Sequence, residues 1–124
     1  MKTIFLIDDS MIIQVSISSL LMNAGYKVEK AGDGQQALDI LTNKGLTPDL
    51  IITDLNMPKM DGIQFVQQVR KMAKFRFTPI IVLTTETKPE KCQAAKAAGA
   101  TGWLQKPVPS EELLKVVKRL VPGS

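Results

Sequence analysis

The sequence of 124 residues contains no histidine, and this absence excludes several common chemistries at once. Histidine is the commonest general base and a frequent zinc ligand, so catalysis by a histidine base and a histidine-based zinc site are both ruled out. The chain also cannot carry a phosphoryl group on an imidazole. If it takes part in phosphoryl transfer, the phosphoryl donor lies on another molecule.

Cysteine and long apolar runs are scarce as well. The one cysteine, Cys92, cannot form an internal disulfide, and we expect it to be a small core residue in a reducing compartment. No apolar run approaches membrane-spanning length, and Met1 to Asp8 is too short for a secretory signal. These features predict a cytoplasmic protein without membrane insertion. The 16 Lys and Arg residues outnumber the 12 acids but are scattered as on ordinary helix surfaces, so we predict no nucleic-acid binding.

A mass of 13.6 kDa and 44% hydrophobic residues suit one domain with one core, and we expect residues 1–124 to form it. Short apolar, β-prone runs alternate with longer stretches in which apolar residues recur every three or four positions, which predicts an α/β fold with a parallel sheet. The segment Tyr26 to Ala31 alternates apolar and charged residues and is predicted to be an edge strand. The other predicted strands are Thr3 to Ile7, Leu50 to Thr53, Pro79 to Thr84 and Gly102 to Leu104, and we expect them to be more central.

Capping boxes predict where three helices begin. Asp33 with Gln36, Asp61 with Gln64 and Thr87 with Glu90 have the required spacing, so we expect helices to begin near Gly34, Gly62 and Lys88.

Polar residues stand at the end of each predicted buried strand or just after it, and they include carboxylates, hydroxyls and one ammonium. They are Asp8 and Asp9, Asp54, Thr84 and Thr85, and Lys106. In an open parallel sheet the carboxyl ends of the strands share one edge, where ligands bind. We therefore expect these side chains to converge although they are distant in sequence.

Three aspartates in one crevice repel one another unless a cation lies between them. Magnesium is the natural cation, because it prefers oxygen ligands and is typically held by one or two carboxylates plus a phosphate. An aspartate oxygen can attack phosphorus to form an acyl phosphate, while Lys106 offsets charge on the phosphoryl oxygens. Thr84 could donate a hydrogen bond to the same group. The alternative for Asp8 and Asp9 is a helix N-terminal cap, a role that Asp9 or Ser10 could fill alone.

The combined motifs resemble the response-regulator receiver family over essentially the whole chain. The motifs are the Asp8-Asp9 pair, Asp54 followed by Met57-Pro58 and Gly62, Thr84 at the end of the fourth strand, and Lys106-Pro107. The resemblance implies a flavodoxin-like, doubly wound (βα)5 sandwich with strand order 2-1-3-4-5. It also implies a signalling phosphoacceptor, with autocatalysed phosphorylation and dephosphorylation, rather than an enzyme.

The same resemblance assigns roles to individual residues. Asp54 would be phosphorylated by a histidine kinase, and Asp9, Asp54 and the backbone carbonyl of Asn56 would bind Mg²⁺, with Asp8 acting through water. Lys106 would contact the phosphoryl group, next to a peptide to Pro107 that the family usually holds cis. Thr84 would be the residue that responds to phosphorylation.

Within the family, the residues resemble most the stand-alone chemotaxis regulators of the CheY type. Asn56 and Glu86, each two residues past a key position, match that type and are expected to modulate the kinetics. The implied partners are a CheA-like histidine kinase and a flagellar motor switch protein, with the chain a monomer. Two positions depart from the pattern: Trp103 stands where a tyrosine or phenylalanine normally acts as a rotameric switch, and Thr85 replaces a smaller residue.

Several alternatives stay open at this point. Trp103 is either a core aromatic or part of the switch. The chain could be a phosphate sink or docking receiver without a motor target. It could also be a haloacid-dehalogenase-type phosphatase, although those enzymes place a second aspartate two residues after the nucleophile, where this sequence has Asn56.

Overall fold

The computed structural model describes residues 1–85 and 88–122, and within them five strands alternate with five α-helices. In chain order the elements are β1 (Thr3–Ile7), α1 (Met11–Asn23), β2 (Lys27–Ala31), α2 (Gly34–Asn43), β3 (Leu50–Asp54), α3 (Gly62–Arg70), β4 (Ile80–Thr84), α4 (Pro89–Ala98), β5 (Gly102–Gln105) and α5 (Ser110–Leu120). A short 3₁₀ turn, Ala73–Phe75, lies between α3 and β4. No helix within the described residues is long and apolar enough to cross a membrane.

The strands form one parallel sheet in the order β2-β1-β3-β4-β5, which confirms the predicted topology. β2 is an edge strand, as its alternating pattern predicted. The expectation that all other strands are more central is wrong for β5, which forms the opposite edge. Burial alternates along β5 because one of its faces is open to solvent.

Helices cover both faces of the sheet, so two apolar layers form the core. Leu21 of α1 and Val117 of α5 pack with Ile4 and Ile52 on one face. Phe65 of α3 and Ala37 of α2 pack with Phe5 and Ile51 on the other. β3 and β4 are buried along their whole length, which explains why they are nearly continuous apolar runs. Cys92 is buried, as predicted.

Polar caps determine where most helices begin. The Ser10 hydroxyl accepts the Ile13 N–H, and the Asp33 and Asp61 carboxylates accept the N–H three residues on, which places the starts of α2 and α3 as predicted. At α3 the capping box is reciprocal, since Gln64 also accepts the Asp61 N–H. The box predicted at Thr87 and Glu90 is not tested, because Thr87 lies outside the described residues. The helix itself, α4, begins at Pro89 with Lys88 as its N-cap, close to the predicted start.

Candidate functional site

The carboxyl ends of β1 and β3 bring three aspartates together. Asp8 follows β1 and is buried, Asp54 ends β3 and is 8% exposed, and Asp9 is exposed at the rim. One carboxylate oxygen from each of these residues lies within 4.8 Å of the others. The structure therefore brings together the three acids that the strand-end pattern selected.

Lys106, which follows β5, links two of these acids. Its Nζ lies 3.1 Å from Asp8 Oδ2 and 3.3 Å from Asp54 Oδ1, and its side chain is only 15% exposed. Removal from water strengthens these attractions, which a surface ion pair would largely lose to solvent screening. The ammonium thus sits where it can balance negative charge added at Asp54.

Burial raises the pKa of the Asp54 carboxyl, because the ionised form loses contact with water. The Lys106 ammonium acts in the opposite direction and lowers that pKa, while the negative charge of Asp8 raises it further. The Asn56 N–H, 3.4 Å from Asp54 Oδ1, also favours the ionised form. The net effect is a pKa above the ordinary aspartate value, so a bound cation would stabilise the ionised form of this carboxyl.

The donor chemistry of this cluster fits a magnesium ion. Three carboxylates that approach within 4.8 Å form a hard, all-oxygen set with an excess of negative charge over the single Lys106 ammonium. The exposed position of Asp9 leaves one side of the set open to solvent. Magnesium suits such a site because it keeps several of its own waters when it binds to carboxylates.

Backbone contacts hold the acidic residues in place. Asp8 Oδ1 accepts the Ser10 N–H at 2.9 Å, so Asp8 is fixed at both carboxylate oxygens. Gln14 donates through Nε2 to the carbonyls of Asp8 at 2.6 Å and Ala31 at 3.0 Å, which ties α1 to the ends of β1 and β2. The sequence did not reveal this role of Gln14, because nothing about a glutamine within a helix indicates that its side chain will bond to the backbone of two strand ends.

Gly62 is needed for close approach of α3 to the Asp54 strand. A Cβ added at Gly62 would overlap the Asp54 carbonyl oxygen and lie 2.8 Å from the Leu55 Cα. The Gly62 N–H donates to the Leu55 carbonyl at 2.7 Å. The first turn of α3 is thereby packed directly on the backbone that carries Asp54.

The fourth and fifth strands supply the other predicted site residues. Thr84 is buried at the end of β4, and its carbonyl accepts the Lys106 N–H at 2.7 Å. The Lys106-Pro107 peptide is cis, as the family resemblance implied. Thr85 is exposed beside Lys106, whereas Glu86 lies outside the described residues.

Trp103 is not a core aromatic, so that alternative is wrong. Its side chain is 39% exposed on the edge strand β5, and the Lys96 Nζ lies 5.8 Å from the ring centroid. This distance suits a cation–π contact between α4 and β5. A part in switching remains a prediction for this ring.

An apolar surface borders the site along α1. Met11, Ile12 and Val15 at the start of this helix are 76%, 82% and 57% exposed, and α1 contains no charged residue. A cavity of about 460 Å³ lies next to it, between α1, α5 and Lys106. Ile13, Ile17 and Leu20 line it from α1, and Val108 and Leu113 line it from the other side.

Comparisons with known proteins all point to one family. A model described as the response regulator receiver domain matches residues 4–118. Part of the sensor histidine kinase CheAY of Helicobacter pylori is 37% identical over 116 residues, 93% of this chain and 14% of that protein. The response regulator MprA of a Mycobacterium species is 36% identical over 118 residues, 95% of this chain and 50% of that protein. The chain thus spans half or less of these two relatives.

Solved structures include a match over nearly the full length of both chains. The chemotaxis response regulator CheY4 of Vibrio cholerae is 48% identical and superposes with a TM-score of 0.89, covering 98% of this chain and 99% of that one. The receiver domain of a histidine kinase from Syntrophus aciditrophicus, 29% identical, also superposes with a TM-score of 0.89. The same fold therefore occurs in a chemotaxis regulator and in a domain of a kinase.

Proposed function

The chain belongs to the response regulator receiver family, and from this premise we propose that it is a phosphoacceptor that takes a phosphoryl group on Asp54. The observation that carries the proposal is the Asp8, Asp9 and Asp54 cluster with Lys106 held between two of its acids. We propose that residues 1–124 act as one domain, in the cytoplasm and as a monomer, and that the chain is a signalling protein and not a turnover enzyme.

The chemistry follows from where these side chains lie. An Asp54 oxygen attacks phosphorus, the bond from phosphorus to the donor nitrogen or oxygen breaks, and an acyl phosphate forms. Lys106, now 3.3 Å from Asp54 Oδ1, is positioned to pair with the phosphoryl oxygens that arrive there. Water later cleaves the acyl phosphate and restores the carboxylate.

Magnesium, when bound, supplies positive charge that offsets the charge on the attacking and phosphoryl oxygens. Asp9, Asp54 and the Asn56 carbonyl are the proposed ligands, with Asp8 acting through water. Asp8 is buried and already paired with Lys106 and the Ser10 N–H, which suits an indirect role better than direct coordination. Asn56, Thr85 and Glu86 are proposed to set the rates of phosphorylation and hydrolysis.

The direct experiment is intact-mass analysis after incubation with acetyl phosphate and magnesium. We expect one added phosphoryl group on the wild-type chain and none on Asp54→Asn. A chelator should abolish the labelling, whereas Asp39→Asn, an exposed change on α2, should leave it intact. Labelling that survives in Asp54→Asn would place the acceptor elsewhere and contradict the proposal.

The apolar start of α1 is the surface we propose for the protein phosphodonor. A donor must approach Asp54 from the carboxyl edge of the sheet, where exposed Met11 and Ile12 immediately follow the acidic cluster. Burial of these side chains would favour the complex without any charge having to be desolvated. The donor would be a histidine kinase, CheA-like if the chain serves chemotaxis.

Two phosphodonors separate docking from chemistry at this surface. The test is a double variant that carries both Ile12→Asn and Val15→Asn. Phosphoryl transfer to it from a phosphorylated CheA-like kinase should slow by at least about tenfold, because two apolar contacts with the kinase are lost. Labelling by acetyl phosphate should stay near the wild-type rate. Met22→Asn is the matched control, because Met22 is 59% exposed at the far end of the same helix. Equal slowing with both donors would argue against a docking role.

We propose that phosphorylation changes partner binding through Thr84 and Trp103. Thr84 is buried beside the site and Trp103 stands on the neighbouring strand, paired with Val82 of β4. Movement of Thr84 toward the phosphoryl group would bias the position of the ring and of α4, whose Lys96 contacts it. If Trp103→Ala leaves the ratio of partner affinities with and without phosphorylation unchanged, the ring takes no part in the switch.

The output is proposed to be chemotaxis, through a flagellar motor switch protein, because the chain matches almost the whole of CheY4 at 48% identity. Capture of the phosphorylated chain on an immobilised switch-protein peptide, with little capture of the unphosphorylated chain, is the expected result. Failure of both forms to bind would favour a phosphate sink. Turnover of a small phosphoester in excess over protein would favour a phosphatase.

A further inference from the structure

The connection between α3 and β4 displays an aromatic ring in a chain that otherwise buries most of its aromatics. Tyr26, Phe5, Phe65 and Phe75 are each at most 2% exposed, whereas Phe77 is 89% exposed. Phe77 is three residues before β4, so it lies at the amino-terminal ends of the strands, opposite to the carboxyl ends where Asp54 lies. Its ring contributes nothing to packing of the core and is therefore available for an external contact.

Arg70 holds the backbone around Phe77 in a defined shape. Its Nη1 donates to the carbonyls of Phe75 and Thr78, both at 2.7 Å, and to the Arg76 carbonyl at 3.3 Å. These bonds hold the backbone carbonyls of Arg76 and Thr78, the residues on either side of Phe77. The buried Phe75 ring packs the same connection against the core. The exposed Phe77 ring therefore lies on a loop whose backbone is fixed by hydrogen bonds. A pre-ordered loop loses less conformational entropy when its side chain binds a partner.

Exposed cations lie at the same end of the molecule as this ring. Lys71, Lys74 and Arg76 lie in the same connection, and the chain has no acid between Asp61 and Glu86. Other exposed cations precede strands or end helices at this edge, namely Lys2, Lys27, Lys44, Lys118 and Arg119. We call these eight residues, together with Phe77, the basic end.

The acids are distributed in the opposite way. Asp8, Asp9 and Asp54 lie at the carboxyl ends of strands, and Glu111 and Glu112 lie in the first turn of α5, at that same edge. Two of the described acids lie at or beside the basic end: Asp49, whose carboxylate accepts the Thr3 N–H at 2.8 Å, and Glu29, whose Oε1 lies 3.9 Å from Lys27 Nζ. Lys59, Lys88, Lys91 and Lys106 also lie at the carboxyl ends of the strands, but the acids there outnumber them. The excess of positive charge is therefore at the basic end, which would face a negatively charged surface.

We propose that the basic end adsorbs to an anionic lipid surface, with the Phe77 ring entering the headgroup region and the surrounding cations facing lipid phosphates. Interfacial anchors bury apolar side chains such as Phe at the headgroup boundary, and each Lys or Arg near an anionic leaflet adds attraction. The contact is peripheral and shallow, and therefore differs from the membrane-spanning insertion that the sequence argues against. It leaves the acidic cluster on the side that faces away from the lipid.

The arrangement fits lipid better than the other anionic macromolecules. The cations are spread over separate connections and helix ends around the basic end, which suits a broad surface. An acidic peptide needs a groove, and the cavity of about 460 Å³ lies beside Lys106 between α1 and α5. Single-stranded nucleic acid needs a row of aromatics on which successive bases stack. The other ring exposed among the described residues, Trp103, lies on β5 in register with Val82 and outside the basic end.

Vesicle co-sedimentation of the full chain tests the proposal at low ionic strength. Vesicles of phosphatidylcholine and phosphatidylglycerol in equal parts should bind the protein, and vesicles of phosphatidylcholine alone should not. Phe77→Ala should weaken partitioning by about tenfold, from loss of apolar burial. Changing Lys71, Lys74 and Arg76 together to Gln should weaken it by about a hundredfold, at roughly fivefold for each cation. Added salt should release the wild-type protein.

Matched controls distinguish the basic end from overall charge and exposed apolar area. Changing the exposed Lys30, Lys91 and Lys115 to Gln removes the same net charge elsewhere, and Ile12→Ala removes an apolar side chain that is 82% exposed at the opposite end. Both controls should keep most of the binding. Equal losses in test and control variants, absence of vesicle binding, or binding only to a single-stranded oligonucleotide would overturn the proposal.

Phosphorylation serves as an independent readout in the same proteins. The Phe77 and Lys71/Lys74/Arg76 variants should fold as the wild type by circular dichroism and should take up phosphoryl groups from acetyl phosphate at the wild-type rate. Loss of vesicle binding with normal labelling would support the lipid contact. Failure of the phosphoacceptor proposal would instead appear as absent labelling in the wild-type chain, whatever its behaviour with vesicles.

Discussion

At the scale of single residues, burial of the Asp54 carboxyl makes its ionised form costly in the folded protein. The raised pKa means that the folded state holds a proton at Asp54 more tightly than the unfolded state does. Stability from this residue is thus fullest below the ordinary aspartate pKa of about 3.9 and declines as the pH rises through the raised value. At neutral pH the buried, ionised Asp54 carboxylate therefore lowers the free energy of unfolding.

Asp54→Asn should therefore stabilise the protein at neutral pH in the presence of a chelator. Urea unfolding should give the variant a higher free energy of unfolding than the wild type, and the difference should shrink as the pH falls through the raised pKa and be smallest below about 3.9. Asp39→Asn, at an exposed position, is the control and should show little change. A difference that is independent of pH would mean that the effect comes from packing and not from ionisation.

Gly62 shows how a residue without a side chain positions one that carries chemistry. Gly62→Ala would push a methyl group against the Asp54 carbonyl and the Leu55 Cα, and neither is a flexible side chain that could move aside. We expect a loss of about 1–3 kcal/mol in the free energy of unfolding, as for other overpacked sites, and slower labelling by acetyl phosphate.

The control for this change is Gly102→Ala, whose added Cβ would lie 3.7 Å from Ile81 Cδ1, an ordinary contact distance. It should unfold near the wild-type urea concentration. If Gly62→Ala also retains wild-type stability, α3 can shift away from β3 without cost, and the close approach is not a constraint on Asp54.

At the scale of elements, Arg70 joins three parts of the fold. Besides the carbonyls of the α3–β4 connection, it donates through Nε to the Gly99 carbonyl at 2.9 Å, so it ties the end of α3 to the end of α4. Gly99 has φ of +117°, and a Cβ there would lie 2.7 Å from the Arg70 Cγ. Glycine at position 99 therefore serves both the turn and the arginine packed on it.

Arg70→Lys should destabilise the protein although it retains the charge. A single ammonium cannot replace a planar guanidinium that donates in several directions, so carbonyls at Gly99 or Thr78 would lose their partner. The expected loss is about 2–4 kcal/mol in urea unfolding. Arg76→Lys, an exposed change in the same connection, is the control and should be nearly neutral. Equal stability of the two variants would show that the Arg70 bonds add little.

At the scale of the whole molecule, the stability of this fold should depend on magnesium. A cation that binds the folded acidic cluster and not the unfolded chain adds stability, about 2.7 kcal/mol when its concentration is a hundred times its Kd. Thermal unfolding should therefore shift upward as magnesium is added. Asp9→Asn and Asp54→Asn should reduce this shift, and Asp39→Asn should not. An equal shift in all these variants would indicate general screening of charge.

The sequence alone determined much of the architecture. Apolar β-prone runs located the ends of the five strands to within one residue, and the caps at Asp33 and Asp61 marked the starts of α2 and α3. The placement of polar residues directly after the strands was enough to select Asp8, Asp54 and Lys106, because parallel strands must end at one shared edge. The family resemblance supplied the strand order.

Other features depended on distances that a linear pattern does not contain. The exposure of Trp103 followed from the edge position of β5, which its short apolar run did not reveal. The reach of Gln14 to two strands, and of Arg70 to α4, joins residues up to 29 positions apart through polar side chains that give no periodic signal.

Local chemistry could be predicted because helix caps and strand ends act on near neighbours in the chain. The polarity of the molecule, with acids at one edge and exposed cations and Phe77 at the other, was decided only when the tertiary structure aligned strands and helices. Scattered charges become a field with a direction once the fold sets their positions, because electrostatic attraction depends on distance in space and not on separation in sequence.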